Sequence, residues 1–465
     1  MLDRNYYQDQ KEEFDILRNK VKKDPFLPAF HIYPEAGWLN DPNGLCQFDG
    51  NYHIYYQYSP FDENKKEIAW GHVISDDFIN FSYEDPFIYP DSKYDRDGAY
   101  SGSAFIENEE INFFYTGNVK HEGDFDYINS GRDHNTIKIR SSDGMNFSKK
   151  ELILTNEDYP EDITKHVRDP KIYKENEDYY MFLGARSKED KGMVLVYKAS
   201  DLKDFSYHMR IESKEKFGYM WECPDYFFLD GEGILITCPQ GVRSEEYRYQ
   251  NIYQAGYFPL DIDFPTKTYS LGDFKELDYG FDFYAPQTFE DDQERRILIG
   301  WMGMPDATYT NPTTEYKWQH CLTIPRKLTF RDGKLYQEPV KELEKLRGEK
   351  LFLDKTRCYK GSVFEAIAED INSDFSIKLR EDVSLTYTNG ILSLDMGKSS
   401  NGRDKRKLKV ESIFNLRIYS DRSSLEIFIN DGSYVLTSRV YSEGYVFSST
   451  DLDFDLFPLS NINLN

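Results

Sequence analysis

The sequence predicts an all-β protein in which a five-bladed β-propeller is followed by a C-terminal β-sandwich. Three observations support this prediction: one form of strand segment recurs five times, a Ser-Asp turn follows three of these segments, and hairpin signals are concentrated in the last third of the chain. At 465 residues the chain exceeds one ordinary hydrophobic core, so we expect more than one domain.

The N-terminal residues 1–29 are predicted to form a helical extension. Phe14, Leu17 and Val21 lie on one side of a short amphipathic helix that is expected over 12–22. We assign no chemistry to this segment.

Residues 30–337 are assigned to the propeller, because short strands and turns recur there. Five segments share one form, a polar or acidic turn and then a strand that ends in aromatic or small residues. They are Gly50–Gln57, Glu107–Gly117, Glu175–Gly184, Asp230–Gly241 and Gln293–Trp301. Their starts lie roughly 55 to 70 residues apart, which suits four-stranded blades. The alternative is a large β-sandwich with coincidental spacing.

A Ser-Asp pair followed by Phe closes three of these units in the same way. The three examples are Ser75-Asp76 with Phe81, Ser142-Asp143 with Phe147, and Ser200-Asp201 with Phe205. Five similar units predict five blades around one central cavity.

The remainder of the chain is assigned to a linker and a second domain. Pro339 and Gly348 are typical helix boundaries, so 338–349 is predicted to be a helical linker. Residues 350–465 are predicted to form the β-sandwich. Its strongest hairpin signals are Asn389-Gly390 and Asp431-Gly432.

The charge balance limits the partners of the protein. Acidic residues outnumber basic ones 82 to 57, for a formal net charge of −25. Nucleic acids and anionic membrane surfaces are therefore not expected as partners. The aromatic-rich composition is common among carbohydrate-handling proteins, because aromatic faces stack on sugar rings, and an anionic substrate would need a local basic pocket. The sequence leaves the oligomeric state open.

The five cysteines form neither a disulfide framework nor a metal-binding pair. They lie at Cys46, Cys223, Cys238, Cys321 and Cys358. We expect buried, reduced thiols, no metal and no organic cofactor. The first 23 residues are charged throughout, and no stretch is long and apolar enough to span a bilayer, so a cytoplasmic location is expected.

The first candidate for chemistry is the run Trp38–Gly44, which contains Asn40-Asp41-Pro42-Asn43. Asp-Pro and Asn-Gly pairs predict a tight, rigid turn. A carboxylate fixed beside Trp38 is a candidate nucleophile. The alternative is an Asx-type turn in which Asp41 only caps backbone amides.

Two further carboxylates have unusual neighbours. Asp169 lies between Arg168 and Pro170, and Glu222 lies between Trp221 and Cys223. Each alone is typical of a structural role. Together with Asp41 they suit retaining glycoside cleavage, which needs one ionised carboxylate as nucleophile and one protonated carboxyl as acid. We expect Arg168 to hold Asp169 ionised, which leaves Glu222 as the protonated group.

These motifs resemble glycoside hydrolase family 32, the β-fructofuranosidases, over nearly the whole chain after the N-terminal helix. The matching motifs are Trp38–Gly44, Arg168–Pro170 and Glu222-Cys223, with support from Gln57, Trp70–His72, Ser101–Ala104 and Phe281–Tyr284. The resemblance implies a five-bladed propeller followed by a β-sandwich, and hydrolysis through a covalent fructosyl intermediate.

The same resemblance implies a role for each site residue. Asp41 would be the nucleophile, Glu222 the general acid and base, and Asp169 the stabiliser of the transition state. The sugar-binding residues would be Trp38, Leu39, Asn40, Gln57, Trp70, Tyr100, Ser101 and Arg168. Tyr100 departs from the family, in which Phe often stands before Ser-Gly-Ser.

Within the family, three stretches resemble the bacterial enzymes that hydrolyse sucrose 6-phosphate. They are Gly280–Gln287, Cys238–Gly241 and Tyr249–Asn251. We therefore expect sucrose 6-phosphate, and sucrose, as substrates. The candidate cations for the phosphate are Arg186, Arg243, Arg248, Lys317 and His320, among which the sequence does not choose.

Three alternatives remain open at this point. An intracellular invertase or short-fructan hydrolase would share the fructose subsite. A fructosyltransferase would pass the same intermediate to a sugar hydroxyl instead of water. A lectin-like binding protein would lack a catalytic carboxylate.

Overall fold

The computed structural model describes residues 2–465. Two helices come first, α1 (Arg4–Asp9) and α2 (Lys11–Val21), and α2 packs Phe14 and Val21 into the apolar core of the propeller. The sequence predicts this second helix one residue further along, and it does not predict α1. No helix in the described part of the chain is long and apolar enough to cross a membrane.

Five antiparallel sheets follow one another along the chain and form the blades of the propeller. Blade 1 contains β1 (Gly37–Phe48), β2 (Asn51–Ser59), β3 (Ala69–Ser75) and β4 (Asn80–Ile88), and blade 2 contains β5 (Ala99–Glu107), β6 (Glu110–Lys120), β7 (Arg132–Ser141) and β8 (Glu151–Leu154). Blade 3 contains β9 (Ile163–Glu175), β10 (Asp178–Ser187), β11 (Gly192–Ala199) and β12 (Ser206–Ile211). Blade 4 contains β13 (Met220–Leu229), β14 (Glu232–Gln240), β15 (Gly256–Asp263), β16 (Thr268–Leu271) and the short β17 (Lys275–Glu276).

Blade 5 completes the ring, and the segment that connects two of its strands contacts blade 1. It contains β18 (Tyr284–Glu290), β19 (Arg296–Met302), the short β21 (Cys321–Leu322), β22 (Arg326–Arg331) and β23 (Lys334–Pro339). The connection between β19 and β21 contains a 3₁₀ helix at Pro312–Tyr316 and the short β20 (Trp318–Gln319). Strand β20 pairs in parallel with the start of β1, which joins the last blade to the first. The predicted propeller is confirmed. The five recurring segments lie on the second strand of each blade.

The predicted Ser-Asp turns lie between the third and fourth strands of the first three blades. Asp143 and Asp201 each accept backbone N–H groups from the residues that follow. In the first blade Asp77, rather than Asp76, accepts the N–H groups of Ile79 and Asn80. The turn is therefore repeated, with a one-residue difference in blade 1.

The first strand of every blade is the inner strand, and each inner strand contains a break in register. The breaks lie between Leu39 and Pro42, Ala99 and Gly102, Arg168 and Lys171, Glu222 and Asp225, and Tyr284 and Gln287. A β-bulge bends the strand and changes the direction of a side chain. Three of the five breaks contain a proline, namely Pro170, Pro224 and Pro286, and Pro42 is the first paired residue after the break in β1. An inner strand is paired along most of its length on one side only, so a missing N–H is tolerated.

The prediction that Trp38–Gly44 forms a tight turn is wrong. The run lies inside β1, and its turn-forming residues instead accommodate two bulges. Pro and Gly are common to turns and bulges, and only the pairing of β1 with β2 distinguishes the two.

The second domain is a sandwich of two six-stranded sheets around an apolar core. One sheet contains β24 (Leu351–Leu353), β26 (Phe364–Ala368), β31 (Leu416–Asp421), β32 (Ser424–Ile429), β33 (Tyr434–Arg439) and β35 (Phe454–Pro458). The other contains β25 (Cys358–Tyr359), β27 (Phe375–Lys378), β28 (Ser384–Thr388), β29 (Ile391–Asp395), β30 (Lys405–Lys409) and β34 (Phe447–Ser449), and a 3₁₀ helix spans Gly397–Ser400.

Two connections between the domains differ from the sequence-based expectation. The linker contains a 3₁₀ helix at Lys341–Leu346, shorter than the helix predicted over 338–349. The last strand, β36 (Asn463–Leu464), leaves the sandwich and pairs in parallel with β4 of blade 1. Residues 350–465 therefore do not all belong to the sandwich.

Buried charges join the two domains. His31, ahead of the first blade, lies 2.7 Å from Asp421 and 2.9 Å from Glu426 of the sandwich. Arg326 of blade 5 contacts the same Glu426 at 2.5 Å and Asp278 at 3.3 Å. Burial alone would lower the pKa of His31, but its two carboxylate partners raise it above the usual value.

Candidate active site

Asp41 lies on the inner strand of blade 1 and accepts hydrogen bonds from three side chains. Ser101 Oγ donates at 2.5 Å, Asn40 Nδ2 at 2.8 Å and Gln57 Nε2 at 3.3 Å. All of these donors are side-chain groups from blades 1 and 2. The Asx-turn alternative, in which the carboxylate caps backbone amides, does not describe this geometry.

A second set of contacts fixes these donors. Trp38 Nε1 donates to Asn40 Oδ1 at 2.8 Å, and Asn40 Nδ2 also donates to Gln57 Oε1 at 3.1 Å. Gln57 Nε2 additionally donates to Ser101 Oγ. Each amide thus has one orientation that satisfies its neighbours, which holds the carboxylate of Asp41 in one position.

The environment of Asp41 shifts its acidity in two opposing directions. Burial raises the pKa of Asp41 above its usual value, and the negative charge of Glu222 acts in the same direction. The hydrogen bonds from Ser101 and Asn40 lower it. These donors favour the ionised form, which is the form a nucleophile requires.

Asp169, on the inner strand of blade 3, faces the same point in the cavity as Asp41. Its Oδ2 accepts the backbone N–H of Cys223 at 2.9 Å. The sulfur of Cys223 lies 3.7 Å from Asp169 Oδ2 and 4.0 Å from Asp41 Oδ2. Asp169 and Cys223 have left-handed backbones, with φ of +63° and +49°. Such strained conformations persist where the surrounding structure enforces them.

The proximity of like charges also affects Asp169. Burial raises its pKa to about 7, with further contributions from the charges of Glu222 and Asp41 and an opposing one from Arg168. The carboxyl cluster therefore retains a proton close to neutral pH.

Arg168 pairs with Glu222, not with Asp169, so this part of the sequence-based prediction is wrong. Arg168 Nε and Nη2 donate to Glu222 Oε1 at 2.9 and 2.5 Å. The break in register between Arg168 and Lys171 and the left-handed backbone of Asp169 redirect these side chains. Arg168 thus pairs with Glu222, while its charge still lowers the pKa of Asp169. The expected arrangement, with Arg168 on Asp169 and Glu222 without a cation, is therefore not the one found.

Two further residues contact Glu222 and were not among the predicted site residues. Tyr284 Oη donates to Glu222 Oε2 at 2.6 Å, and Gln240 Nε2 donates to the same oxygen at 2.7 Å. Both lie in stretches noted for family resemblance, Gly280–Gln287 and Cys238–Gly241. Gln240 reaches Glu222 through the pairing of β13 with β14 within blade 4. Tyr284 reaches it from the neighbouring blade 5, and no local pattern indicates that approach.

Two residues predicted to bind sugar are buried in apolar cores instead of lining the cavity. Trp70 is fully buried between blades 1 and 2, where its indole N–H donates to the Tyr100 carbonyl at 3.0 Å. Leu39 is fully buried in the propeller core. Bulky apolar side chains complete the core here, so neither one lines the cavity. Trp38 and Tyr100 are partly exposed.

Most of the cations predicted to bind phosphate already have partners. Three are ion-paired: Arg186 with Asp190 at 2.6 Å, Lys317 with Glu63 at 2.7 Å, and Arg248 with Glu276 at 3.8 Å. His320 is buried against Trp38 and Trp301, and burial holds its pKa well below the usual value. Arg243 is exposed.

Five inner strands thus bring carboxylates of blades 1, 3 and 4 to one cavity, with Ser101 of blade 2 and Tyr284 of blade 5 as hydrogen-bond donors. No group of three or more His, Cys, Asp or Glu side chains within residues 2–465 is arranged to hold a metal ion. This is the site of a glycoside hydrolase.

The chain belongs to glycosyl hydrolase family 32. The model of the family's N-terminal domain matches residues 31–339, and that of its C-terminal domain matches residues 341–458. The chain is 36% identical to a sucrose-6-phosphate hydrolase of Bacillus subtilis over 92% of each protein. It is also 36% identical to a raffinose invertase of Escherichia coli, over 93% of this chain and 94% of the invertase. A sucrose-6-phosphate hydrolase from Lactobacillus gasseri superposes with a TM-score of 0.89, at 29% identity and 97% coverage of both chains.

Proposed function

We propose that the protein is a retaining β-fructofuranosidase that hydrolyses sucrose 6-phosphate, and also sucrose, to fructose and the corresponding glucose product. The observation that carries the proposal is the convergence of Asp41, Asp169 and Glu222 from three blades on one cavity. The similarity to sucrose-6-phosphate hydrolases over nearly the whole chain supports the choice of substrate.

The first chemical step is attack by the ionised Asp41 on C2 of the fructosyl unit. Hydrogen bonds from Ser101, Asn40 and Gln57 orient the carboxylate and disfavour its protonation. Glu222 donates a proton to the departing glucosyl oxygen. The C2–O bond breaks and an ester forms between fructose and Asp41.

The second step is hydrolysis of this ester. Glu222, now ionised, removes a proton from water, and the water oxygen attacks C2 and releases Asp41. Arg168 and Tyr284 contact opposite oxygens of Glu222 and hold it during both steps. Asp169 binds fructose hydroxyls and stabilises the positive charge that develops on the sugar.

Glu222 must gain a proton before the first step. Arg168 pairs with Glu222 at 2.5 Å, and burial raises the pKa of the neighbouring Asp169 to about 7. We further propose that catalysis takes place in the cytoplasm, because a charged sugar phosphate does not cross a bilayer unaided.

The second candidate is an invertase with no phosphate preference, which the similarity to raffinose invertase favours. Measurement of kcat/KM for sucrose 6-phosphate, sucrose and inulin separates the two. We expect the highest value for sucrose 6-phosphate. Equal values for the two sucroses would refute the proposed substrate, and a higher value for inulin would indicate a fructan hydrolase.

A further inference from the structure

A half-buried arginine at the mouth of the cavity has no acidic partner. Arg132 is the first residue of β7, and no carboxylate of the described chain lies within ion-pair distance of it. Its Nε is buried without a hydrogen-bond partner. Buried guanidinium groups are normally paired, and this chain offers many more acidic than basic residues.

The register of blade 2 places Arg132 at the catalytic end of the propeller. Ala99, at the start of the inner strand, is aligned with Gly117 on β6, and Gly117 is aligned with Asn135 on β7. Arg132 precedes Asn135 by three residues, so it extends beyond the level of Ser101 towards the open end of the cavity.

A chain of contacts links Arg132 to the proposed acid. Arg168, which binds Glu222, has its Nη1 2.8 Å from Nδ1 of His166. Nε2 of His166 lies 3.0 Å from the Tyr127 carbonyl and 3.4 Å from Arg132 Nη1. The contacts therefore run from Glu222 through Arg168 and His166 to Arg132 at the mouth.

The neutral ring of His166 offers no hydrogen-bond acceptor to Arg132. Burial, with the charges of Arg168 and Arg132, lowers the pKa of His166 to about 3, so its ring is neutral. Nδ1 must accept from Arg168, and the ring hydrogen on Nε2 is donated to the carbonyl of Tyr127. Arg132 Nη1 thus faces another donor and gains no hydrogen bond from it.

We propose that Arg132 binds the phosphate group of sucrose 6-phosphate. This inference rests on the proposed function. A phosphate dianion on the leaving sugar is repelled by Asp41, Asp169 and Glu222, and its recognition requires a cation beside Glu222. A guanidinium fork matches phosphate oxygens, and phosphate would accept hydrogen bonds from the Arg132 guanidinium, whose Nε has no acceptor within the protein. The cations predicted from sequence are less suitable, since Arg186 and Lys317 already bind carboxylates.

The test compares kcat/KM for sucrose 6-phosphate and sucrose in the wild type, Arg132→Gln, Arg132→Lys and the control Arg186→Gln. Arg186 lies near the end of β10, the second strand of blade 3, and it is paired with Asp190. We expect Arg132→Gln to lower kcat/KM for sucrose 6-phosphate by about 10- to 150-fold. Its value for sucrose should change by less than about threefold, and Arg132→Lys should keep part of the preference. Arg186→Gln should keep it fully.

The outcomes separate this inference from the function on which it rests. A wild-type enzyme with no preference for sucrose 6-phosphate refutes both. A wild-type preference that Arg132→Gln retains, or that Arg186→Gln alone removes, refutes the inference and leaves the function intact. An equal loss on both sugars also refutes it, because Arg132 would then act on Arg168 and Glu222 rather than on phosphate. Inhibition by glucose 6-phosphate gives a second readout, which Arg132→Gln should weaken while inhibition by glucose is unchanged.

Discussion

The inner strands of the propeller and the strands of the sandwich differ in the regularity of their pairing. All five inner strands contain a break in register at residues that face the cavity. The strand pairs within the sandwich contain none. Both regions are antiparallel and well buried, so burial does not explain the difference. Breaks also occur between outer strands of the propeller, in the pairs β3–β4, β7–β8 and β11–β12. Irregular pairing therefore distinguishes the propeller from the sandwich, and it is found on every inner strand.

The two regions also differ in where their buried charged groups lie. The core between the two sandwich sheets is apolar. Several buried charges of the sandwich pair with propeller residues instead, as Glu426 does with His31 and Arg403 does with Asp282. The buried Glu365 is different, because its two arginine partners belong to the linker and to the sandwich. Buried ion pairs therefore bind the sandwich to the propeller, and the three proposed catalytic carboxylates all lie in the propeller. The following experiments change one region at a time.

The largest effect is expected for Asp41→Asn. Loss of the nucleophile should reduce kcat for sucrose on the order of 10⁴-fold or more. The thermal midpoint should not fall, since the substitution removes one of three crowded negative charges. Asp395→Asn is the matched control on a regular sandwich strand, where Asp395 pairs with Lys405. Activity of Asp41→Asn close to that of the control would contradict the account.

Glu222→Gln should show a loss that depends on the leaving group. We expect kcat/KM for sucrose to fall about 10²- to 10⁴-fold, because the leaving oxygen is no longer protonated. Formation of the intermediate from an activated fructoside should be affected far less, since that leaving group needs no acid. Single-turnover kinetics on both substrates measures this difference. An equal loss on both would show that Glu222 is not the acid.

His31→Gln tests the contact between the domains rather than the site. Breaking a buried ion pair between the domains should lower the free energy of unfolding by roughly 3–5 kcal/mol at low pH. The pKa of His31 is raised in the folded state, so its contribution is fully present below about pH 6.5 and is lost as the pH rises through the folded value. Urea unfolding at several pH values should show that the difference in free energy of unfolding between wild type and variant narrows with increasing pH.

The control for this experiment is His121→Gln in blade 2, where the exposed His121 contacts Asp133. It should change stability by less than about 0.5 kcal/mol at any pH. If the difference in free energy of unfolding between wild type and His31→Gln stays constant with pH, the charge of His31 does not stabilise the domain interface.

The smallest effect is expected for Ser101→Ala. The hydrogen bond from Ser101 lowers the pKa of Asp41, so its loss should raise that pKa. The acid limb of the kcat/KM profile should then move to higher pH by about 0.5–1 unit. A profile measured on sucrose is sufficient. A shift to lower pH, or none, would place the acid limb on another group.

The sequence contains the repeating features of the fold but little of its pairing. Recurrent second strands and Ser-Asp turns predict the five blades, because both are local patterns. The same local rules misassign Trp38–Gly44 as a turn, since proline and glycine also occur at bulges. Whether β1 is an inner strand depends on a closed ring, which is not a local property.

The candidate site likewise has residues that local sequence motifs indicate and contacts that they do not. Asp41, Asp169 and Glu222 lie in motifs of rare residues and can be identified from sequence, whereas their contacts cannot. Arg168 is adjacent to Asp169 in sequence but binds Glu222 of the next blade. Tyr284 and Arg132 belong to blades whose approach to the cavity depends on the whole propeller.

The most direct test of the central claim is to identify the residue that holds the fructosyl unit. Glu222→Gln should form the intermediate from an activated fructoside and then hydrolyse it slowly, because the base for water is missing. Rapid quenching, proteolysis and mass spectrometry should find one fructosyl unit on the peptide that contains Asp41. An adduct on Asp169, or turnover with inverted configuration and no adduct, would contradict the account.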